Sequence, residues 1–291
     1  MGEGFGVGSA RCSWKKLPVQ KVDEQVLRTG PRSLAVLLSL WLSLNIPATI
    51  ITLALLFGSF AALLAWLCFV SRYAPSIQHA AGVVPPFVNI GATLFGLMLT
   101  FLAQDIWEAN RQAKRSLGVE HEQLVTMLAL DEVPGGSDEN LRTAVRNYVQ
   151  AVITYEWPSM ENGLGAPQAE TALDALTRLA AEAPVEPRLA QAVFDTAMKL
   201  RAARERRLGI ANDFPDDRKW LAVILLGLFT QISLAATHLD RIRAQLLAQL
   251  VFSAGAVTAI SLIASIEQPF SPPNAISPQP LIDVIDRIEK R

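Results

Sequence analysis

Cysteine and histidine are scarce in this chain, and their scarcity excludes two kinds of site. Only two of the 291 residues are cysteines: Cys12 lies in a polar leader, and Cys68 lies in an apolar run. Two thiols so placed supply neither a disulfide framework nor a structural zinc site. The three histidines are scattered along the chain, so the sequence predicts no metal centre.

Recognisable catalytic motifs are also missing. The sequence contains no GxSxG, HExxH, phosphate-binding-loop or Rossmann glycine pattern. These are the patterns that place nucleophiles, metal-bound water or cofactor phosphates. We therefore predict no catalytic residues and no cofactor. The formal net charge of -1 equally gives no reason to expect a nucleic-acid partner.

Charge is missing from long stretches of the chain. Only 18% of the residues are charged, 51% are hydrophobic and the mean hydropathy is +0.29, which is not the composition of an ordinary soluble globule. Four charge-free stretches are 33–71, 84–104, 220–237 and 244–266. A helix of about 20 apolar residues crosses about 30 Å of hydrocarbon. The sequence thus predicts four spanning helices, at about 48–70, 86–106, 220–237 and 245–266.

The segment 84–130 changes character half-way along its length. Its first half has no charge before Asp105, whereas its second half is charged and has apolar residues at helical spacing. Pro85 and Pro86 stand at its start, where a missing amide hydrogen costs nothing. We predict one continuous helix that leaves a membrane and continues into water.

Small and weakly polar residues recur along the apolar half of this helix. At about 100° per residue they fall on one stripe, opposite bulky residues such as Phe95. The stripe consists of Asn89, Thr93, Gly96, Thr100 and Gln104. Such a stripe either lines a water-filled path or lets neighbouring helices approach closely, and the general tendency in membrane proteins favours packing.

The chain before the first span divides into two parts. Residues 1–32 are polar and without hydrophobic period, which predicts a disordered leader. The run 33–71 is too long for one crossing and too short for two. We therefore predict an uncleaved anchor preceded by an interfacial extension, 34–44, that is kinked at Pro47. A signal peptide and a true start near Leu44 are the alternatives.

Between the second and third spans the composition changes sharply. Residues 108–219 hold 32 of the 53 charged residues, with apolar positions at helical spacing. This predicts a helical domain inserted between two membrane hairpins, 33–107 and 220–267. The proline-rich tail, 268–291, ends in a short amphipathic helix at about 281–290 whose apolar face needs a partner. The predicted fold class is an all-α membrane protein with four transmembrane helices and a helical cytoplasmic bundle between the second and third.

The positive charges near the spans predict an orientation. Four crossings place the leader, the inserted domain and the tail on one side of the membrane. Ten cations near the spans lie on that side: Arg28, Arg32, Arg111, Lys114, Arg115, Arg204, Arg206, Arg207, Arg218 and Lys219. The two short turns carry three, namely Arg72, Arg241 and Arg243. Because lysine and arginine accumulate in cytoplasmic segments, we predict that both termini and the inserted domain are cytoplasmic.

Ionisable residues at the outer ends of the spans are a candidate site. His79, His238 and Asp240 fall there, where they would meet as a proton-sensitive site or a site at which ions enter. Polar caps near the lipid headgroups are the commoner role of such residues.

Charged residues at the inner ends of the spans are candidates for a gate. They are Glu108, Arg111 and Glu267, although charges at such junctions are usually solvated or paired. A nearby arginine cluster is predicted to be a solvated helix face, with anionic lipid headgroups as its alternative partner. This cluster consists of Arg204, Arg206 and Arg207.

Several short motifs occur in an order known from one family. They are HAAGV (79–83), TFLAQDIWEANRQA (100–113), RNYVQAVITYEWP (146–158) and EQPFS (267–271). In this order they resemble the bacterial bestrophin-like domain family over about 45–291. Bestrophins are pentameric anion channels with four spans, a helical cytoplasmic domain and a pore lined by the second span. The resemblance implies a homo-oligomer, a pentamer, that lies in the inner membrane of a bacterium, contacts lipid and conducts small anions.

Two functions from different classes are compatible with this sequence. One is a homo-oligomeric ion channel for anions. The other is a non-conducting membrane scaffold or sensor whose cytoplasmic bundle binds a protein partner. The number of subunits discriminates between them, because four spans are too few to enclose a conduit within one chain.

Overall fold

The computed structural model describes Trp41 and residues 44–79, 86–133, 139–182, 187–213, 217–272 and 274–290. Every regular element within these residues is helical, and none of them forms a strand. The all-α part of the predicted fold class is therefore confirmed. The predicted leader, 1–32, and most of the predicted extension, 34–44, lie outside the described residues.

The first long helix begins at the point where the sequence predicts a kink. Helix α1 spans Ile46–Phe69, and Leu44 and Asn45 before it are not helical. The Asn45 side chain caps the helix by accepting a hydrogen bond from the Ala48 amide at 3.1 Å. Pro47 occupies the first turn, where its missing amide hydrogen costs no helical bond. The boundary is a capped helix start, and not a bend within one helix.

A very long helix follows. A short helix in the turn, α2 (Ala74–Gln78), leads to α3, which spans Pro86–Asp131. Helix α3 has 46 residues without a break, and at 1.5 Å per residue it is about 69 Å long. This is about twice the thickness of a bilayer core. One half of α3 packs among apolar helices and the other half among charged ones.

The chain between 139 and 211 folds into a helical bundle around the second half of α3. Its elements are α4 (Glu139–Ala151), a π-helical turn (Val152–Glu156), α5 (Trp157–Ser159), a 3₁₀ turn (Met160–Asn162), α6 (Pro167–Glu182) and α7 (Pro187–Ala211). Helix α7 packs along α3, and α6 packs on both α4 and α7. The shared core is aliphatic and fully buried, with Leu124, Val145, Leu173 and Leu200 at its centre.

The tail helix finds its partner within the same chain. Helix α10 spans Gln279–Glu289 and packs on α3 and α4. Leu281 and Val284 lie on the apolar face that the sequence predicts, and both are 0% exposed within the core of the bundle. The chain therefore returns to the bundle after its last apolar helix.

Two further long helices pack beside α1 and the first half of α3. Helix α8 spans Asp217–Thr237, and helix α9 spans Ile242–Ala264. Helix α8 packs along α3, while α9 packs along α1. Phe57, Trp220 and Ile260 are fully buried in the core that these four helices share.

Helices α1, α3, α8 and α9 are the four described helices that are long and apolar enough to cross a membrane. The ends of α1, α8 and α9 differ from the predicted spans by three residues at most. Large apolar side chains cover their outer surfaces, as a lipid environment requires. Examples are Ile51, Leu55, Phe229 and Leu250, each more than half exposed. The protein is therefore an all-helical membrane protein.

Candidate pore-lining surface and junction sites

The polar stripe on α3 lies on the outside of the four-helix packing. Asn89, Thr93, Thr100 and Gln104 are exposed. A Cβ atom added at Gly96 would meet no atom of another element within 4 Å. The Thr100 hydroxyl is satisfied within its own helix, because it donates to the Gly96 carbonyl at 2.7 Å. The structure thus brings all five candidates together on one uncovered surface.

The opposite face of α3 makes the contacts with the other helices. Phe95 and Ile106 are at most 7% exposed and belong to the apolar core. The Phe95 ring packs edge-on against Phe252 of α9, with 5.5 Å between the ring centroids. Gly91 faces α8, since a Cβ atom there would lie 3.4 Å from the Thr230 hydroxyl, within van der Waals contact. The stripe therefore does not pack the helices of one chain together, which leaves pore lining or packing against another copy.

The exposed face of α3 has a second, apolar margin beside the stripe. Its side chains are Ile90, Leu94, Leu97 and Phe101, each at least 47% exposed. One helix face thus carries polar groups on one side and large apolar groups on the other. This division suits a helix with water on one side and lipid or another protein on the other.

The three outer-face candidates lie in the two short turns that connect the apolar helices. His79 and Asp240 are exposed, and no hydrogen bond or ion pair found in the described part of the chain joins either of them to His238. The Nδ1 atom of His238 lies 2.9 Å from the Leu234 carbonyl and 3.0 Å from the Thr237 hydroxyl. His238 is therefore engaged by the end of its own helix, as a polar cap would be.

Two of the inner-face candidates form an ion pair on α3. Arg111 donates to the Glu108 carboxylate at 2.7 Å, and Gln112 donates to the same group at 3.1 Å. The hydrogen bond from Arg111 is the main reason that the pKa of Glu108 lies below its ordinary value. This is the paired arrangement that charges at such a junction usually adopt.

The third inner-face candidate, Glu267, lies just after α9, and no hydrogen bond among the described residues joins it to that pair. Its Oε1 atom accepts a hydrogen bond from the Trp220 indole at 2.5 Å, while its buried Oε2 atom has no hydrogen-bonding partner among the described residues. Burial raises the pKa of Glu267 to about 7, and the nearby charge of Asp217 adds to the rise. Glu267 therefore changes its protonation state near neutral pH.

A small cavity adjoins Glu267. Its volume of about 20 Å³ is enough for about one water molecule, and its wall includes Thr49 of α1 and Ser261 of α9. The Ser261 hydroxyl is a second buried group with no partner in the described residues. Asn110 of α3 donates to the Ile266 carbonyl at 2.6 Å next to this point. The junction thus joins α1, α3 and α9 where the bundle begins.

A buried charged network lies in the bundle, where the sequence predicts a solvated arginine face. That prediction is wrong for Arg204 and Arg207, which are 3% and 0% exposed, and only Arg206 of the cluster is exposed. Arg207 donates to Glu120 of α3 at 2.7 Å and to Glu156 at 2.8 Å. The two arginines lie inside because they face buried carboxylates.

The network pairs buried charges of opposite sign. Arg204 also binds Glu156, at 2.5 Å, and the Tyr148 hydroxyl donates to Glu120 at 2.6 Å. Burial alone would raise the pKa of Glu156, but the guanidinium groups of Arg204 and Arg207 outweigh burial and lower it. Two buried carboxylates therefore face two buried guanidinium groups, and Arg204 also pairs with a more exposed carboxylate of α6. The network links α3, α4, the π-helical turn, α6 and α7.

A comparison with family models decides the family. The model described as Bestrophin-like domain matches residues 55–281, more than three quarters of the chain. The chain belongs to the bestrophin-like family. No curated protein and no solved structure matches it significantly. In this bestrophin-like protein the matched range includes the stripe, the buried network and Glu267, whereas the predicted extension, 34–44, precedes it. The resemblance inferred from the motifs is confirmed.

Proposed function

We propose that this bestrophin-like protein is a homo-oligomeric membrane channel for small anions, in which the α3 stripe faces a path shared by several copies. One observation carries the proposal: the polar side chains of α3 are uncovered, while its opposite face packs on the other helices. Polar groups are unfavourable in contact with lipid, so a water-filled path between copies suits them better. Membership of the bestrophin-like family supports the same assignment.

The chemistry of the stripe suits conduction. Asn89, Thr93, Thr100 and Gln104 offer hydroxyl and amide dipoles without a net charge. Stacked rings of such dipoles replace part of the hydration of an ion without trapping it, as a charged ring would. We propose that the ions are anions and that five copies assemble because the chain resembles the bestrophins in its motifs.

The proposed orientation places α1, α3, α8 and α9 across the inner membrane of a bacterium, with the bundle and both termini in the cytoplasm. The domain layout proposed with it is a first hairpin, 33–107, a bundle, 108–219, a second hairpin, 220–267, and a tail. Of the ten cations near the spans on the bundle side, Arg204 and Arg207 are buried in the bundle. The remaining eight still outnumber the three cations in the two short turns. This excess still favours a cytoplasmic bundle.

The test is conduction by the purified protein in planar bilayers, with the native mass measured on the same preparation. Gly96→Leu adds bulk in the middle of the stripe, so we expect it to reduce the single-channel conductance several-fold without changing the native mass. Gly58→Leu and Gly255→Leu are matched controls, because a Cβ atom at either position also meets nothing within 4 Å. We expect both controls to conduct as the unmutated chain does.

Three outcomes contradict the channel. A native mass that shows only the monomer would remove the shared path. If Gly96→Leu dissociates the oligomer while the two controls do not, the stripe is a packing surface between copies. An intact oligomer that passes no small ion over a range of voltage, pH and calcium would leave the scaffold or sensor in its place.

A further inference from the structure

Three glutamines lie inside the apolar helices, away from the α3 stripe. Gln231 is on α8, while Gln245 and Gln249 are on α9, and all three are 0% exposed. We call them the glutamine column, because Gln245, Gln249 and Ser253 recur every four residues along one face of α9. Gln231 is near the end of α8 and Gln245 is near the start of α9, so the column lies close to the α8–α9 turn.

Some polar atoms of the column are paired. The side-chain nitrogen of Gln231 donates to the Ser253 hydroxyl at 2.7 Å and to the Phe57 backbone carbonyl at 3.1 Å. The side-chain nitrogen of Gln249 lies 3.5 Å from the Gln231 backbone carbonyl. These contacts hold α1, α8 and α9 together around the column.

Three amide oxygens of the column have no hydrogen-bonding partner among the described residues. They are the Oε1 atoms of Gln231, Gln245 and Gln249. A buried polar atom without a partner costs free energy, and lipid cannot supply the missing bond. Buried polar groups in native proteins are nearly always paired, with protein or with ordered water. Three such atoms in one place therefore point to a bound ligand.

An aromatic layer closes the inner end of the column. The rings of Phe57 and Phe252 are 6.5 Å apart between centroids, and the ring of Phe95 is 5.5 Å from that of Phe252. Gly227 lets α8 close tightly on this layer, because a Cβ atom there would lie only 2.9 Å from the Phe57 ring. Aromatic side chains therefore close the inner end of the column.

We propose that the glutamine column is an enclosed water-binding site inside each chain, bounded on its inner side by Phe57. Carboxamide groups offer donors and acceptors but no charge. They match water, which likewise donates and accepts hydrogen bonds and carries no charge. The site lies between α1, α8 and α9 within one chain, so it does not depend on the proposed channel.

Silver ions test the proposal, because they react with thiols and are about as small as a water molecule. Gln249→Cys is compared with Ala256→Cys in the full chain carrying Cys12→Ser and Cys68→Ala, reconstituted in lipid nanodiscs. Alanine replaces Cys68 because the Cys68 thiol meets the Gln245 amide, where a serine would add a hydroxyl. Ala256 is 3% exposed and lies one turn beyond Phe252 along α9, on the side of the aromatic layer away from the column. We expect Gln249→Cys to react at least ten times faster than Ala256→Cys.

If silver reacts equally slowly with the thiols of Gln249→Cys and Ala256→Cys, the proposal is overturned. Nanodiscs expose both membrane faces, so the result is independent of orientation and of conduction. Gln245→Leu gives a second measurement in case Gln249→Cys does not fold. Replacing an amide that binds water lowers the Tm, whereas removing a dry, unpaired amide leaves the Tm unchanged or raises it. A Tm at or above that of the unmutated chain would therefore overturn the proposal as well.

Discussion

The charged side chain of Arg207 is 0% exposed. The free-energy cost of burying this charge depends on the groups that pair with it. A buried ion pair gains little over an apolar replacement of both members, but loss of one member leaves the other charged and unpaired. Arg204 and Arg207 follow Leu200 by four and seven residues, so they continue the inward face of α7. Helical spacing would have placed both arginines inside. Only the folded bundle supplies the carboxylates that allow it.

The buried network gives a prediction about stability. We expect Arg207→Met to lower the free energy of unfolding by about 3–5 kcal/mol, because it leaves Glu120 buried without its guanidinium partner. The neighbouring Arg206 is exposed, so Arg206→Met serves as the control, with an expected change within about 0.5 kcal/mol. Denaturant unfolding of both variants in detergent measures the difference. Equal losses would mean that the network contributes nothing specific.

Glu267 gives a prediction about pH. Its pKa of about 7 in the folded chain lies above its ordinary value of 4.5, so the folded chain keeps a proton that the unfolded chain releases. The contribution of Glu267 to the free energy of unfolding therefore falls as the pH rises from about 4.5 to 7, and it stays low at higher pH.

We expect Glu267→Gln, which keeps an oxygen for the Trp220 indole, to match the Tm of the unmutated chain at pH 5 and to exceed it at pH 8. Thermal unfolding at the two pH values is the measurement. Glu108→Gln is the control, because Glu108 is paired on the surface of α3 and its pKa is lowered. A Glu267→Gln variant with no gain at pH 8 would show that the carboxylate is already stable as an anion.

At the scale of helices, the described part of the extension before α1 touches the core. The Trp41 indole donates to the Thr52 hydroxyl at 2.8 Å. Its ring packs edge-on against Trp220, with 5.5 Å between centroids. Trp41 itself lies outside the range that the family model matches, 55–281. The extension therefore adds contacts to a fold whose four apolar helices do not include it.

We expect removal of residues 1–44 to leave membrane insertion intact, because all four apolar helices remain. The truncation should nevertheless lower stability by about 1–2 kcal/mol, through loss of the aromatic contact and the hydrogen bond of Trp41. Membrane fractionation and thermal unfolding measure the two effects, and Trp41→Ala in the full chain should reproduce the second. Loss of inserted protein after truncation would make the extension an essential part of the membrane domain.

For the whole molecule, the orientation in the membrane is the property most open to direct measurement. Leu164 in the bundle and Tyr73 in the first short turn are 61% and 53% exposed. With Cys12→Ser and Cys68→Ser as background, we expect an impermeant thiol reagent to label Tyr73→Cys in intact cells, and Leu164→Cys only after lysis. The reverse pattern would invert the proposed topology. Labelling of both variants in intact cells would show that the two segments share one side.

What the sequence determines here is local along the chain. Helix ends follow from neighbouring residues, so Asn45 and Pro47 mark the start of α1 and the long charge-free runs mark the apolar helices. The segment 84–130 changes from uncharged to charged residues while its helical spacing continues, and this similarly predicts that α3 is one unbroken helix. The inward face of α10 also follows from its own spacing.

What only the tertiary structure decides is which surfaces meet. The face of α10 is covered because Leu281 and Val284 reach the bundle, and the face with Gly96 is uncovered because α8 packs on the other side of α3. The partners of Arg207 and of Gln231 include groups on helices far apart in the chain. Such pairings depend on the three-dimensional arrangement of several helices at once, and the spacing along any one helix does not contain them.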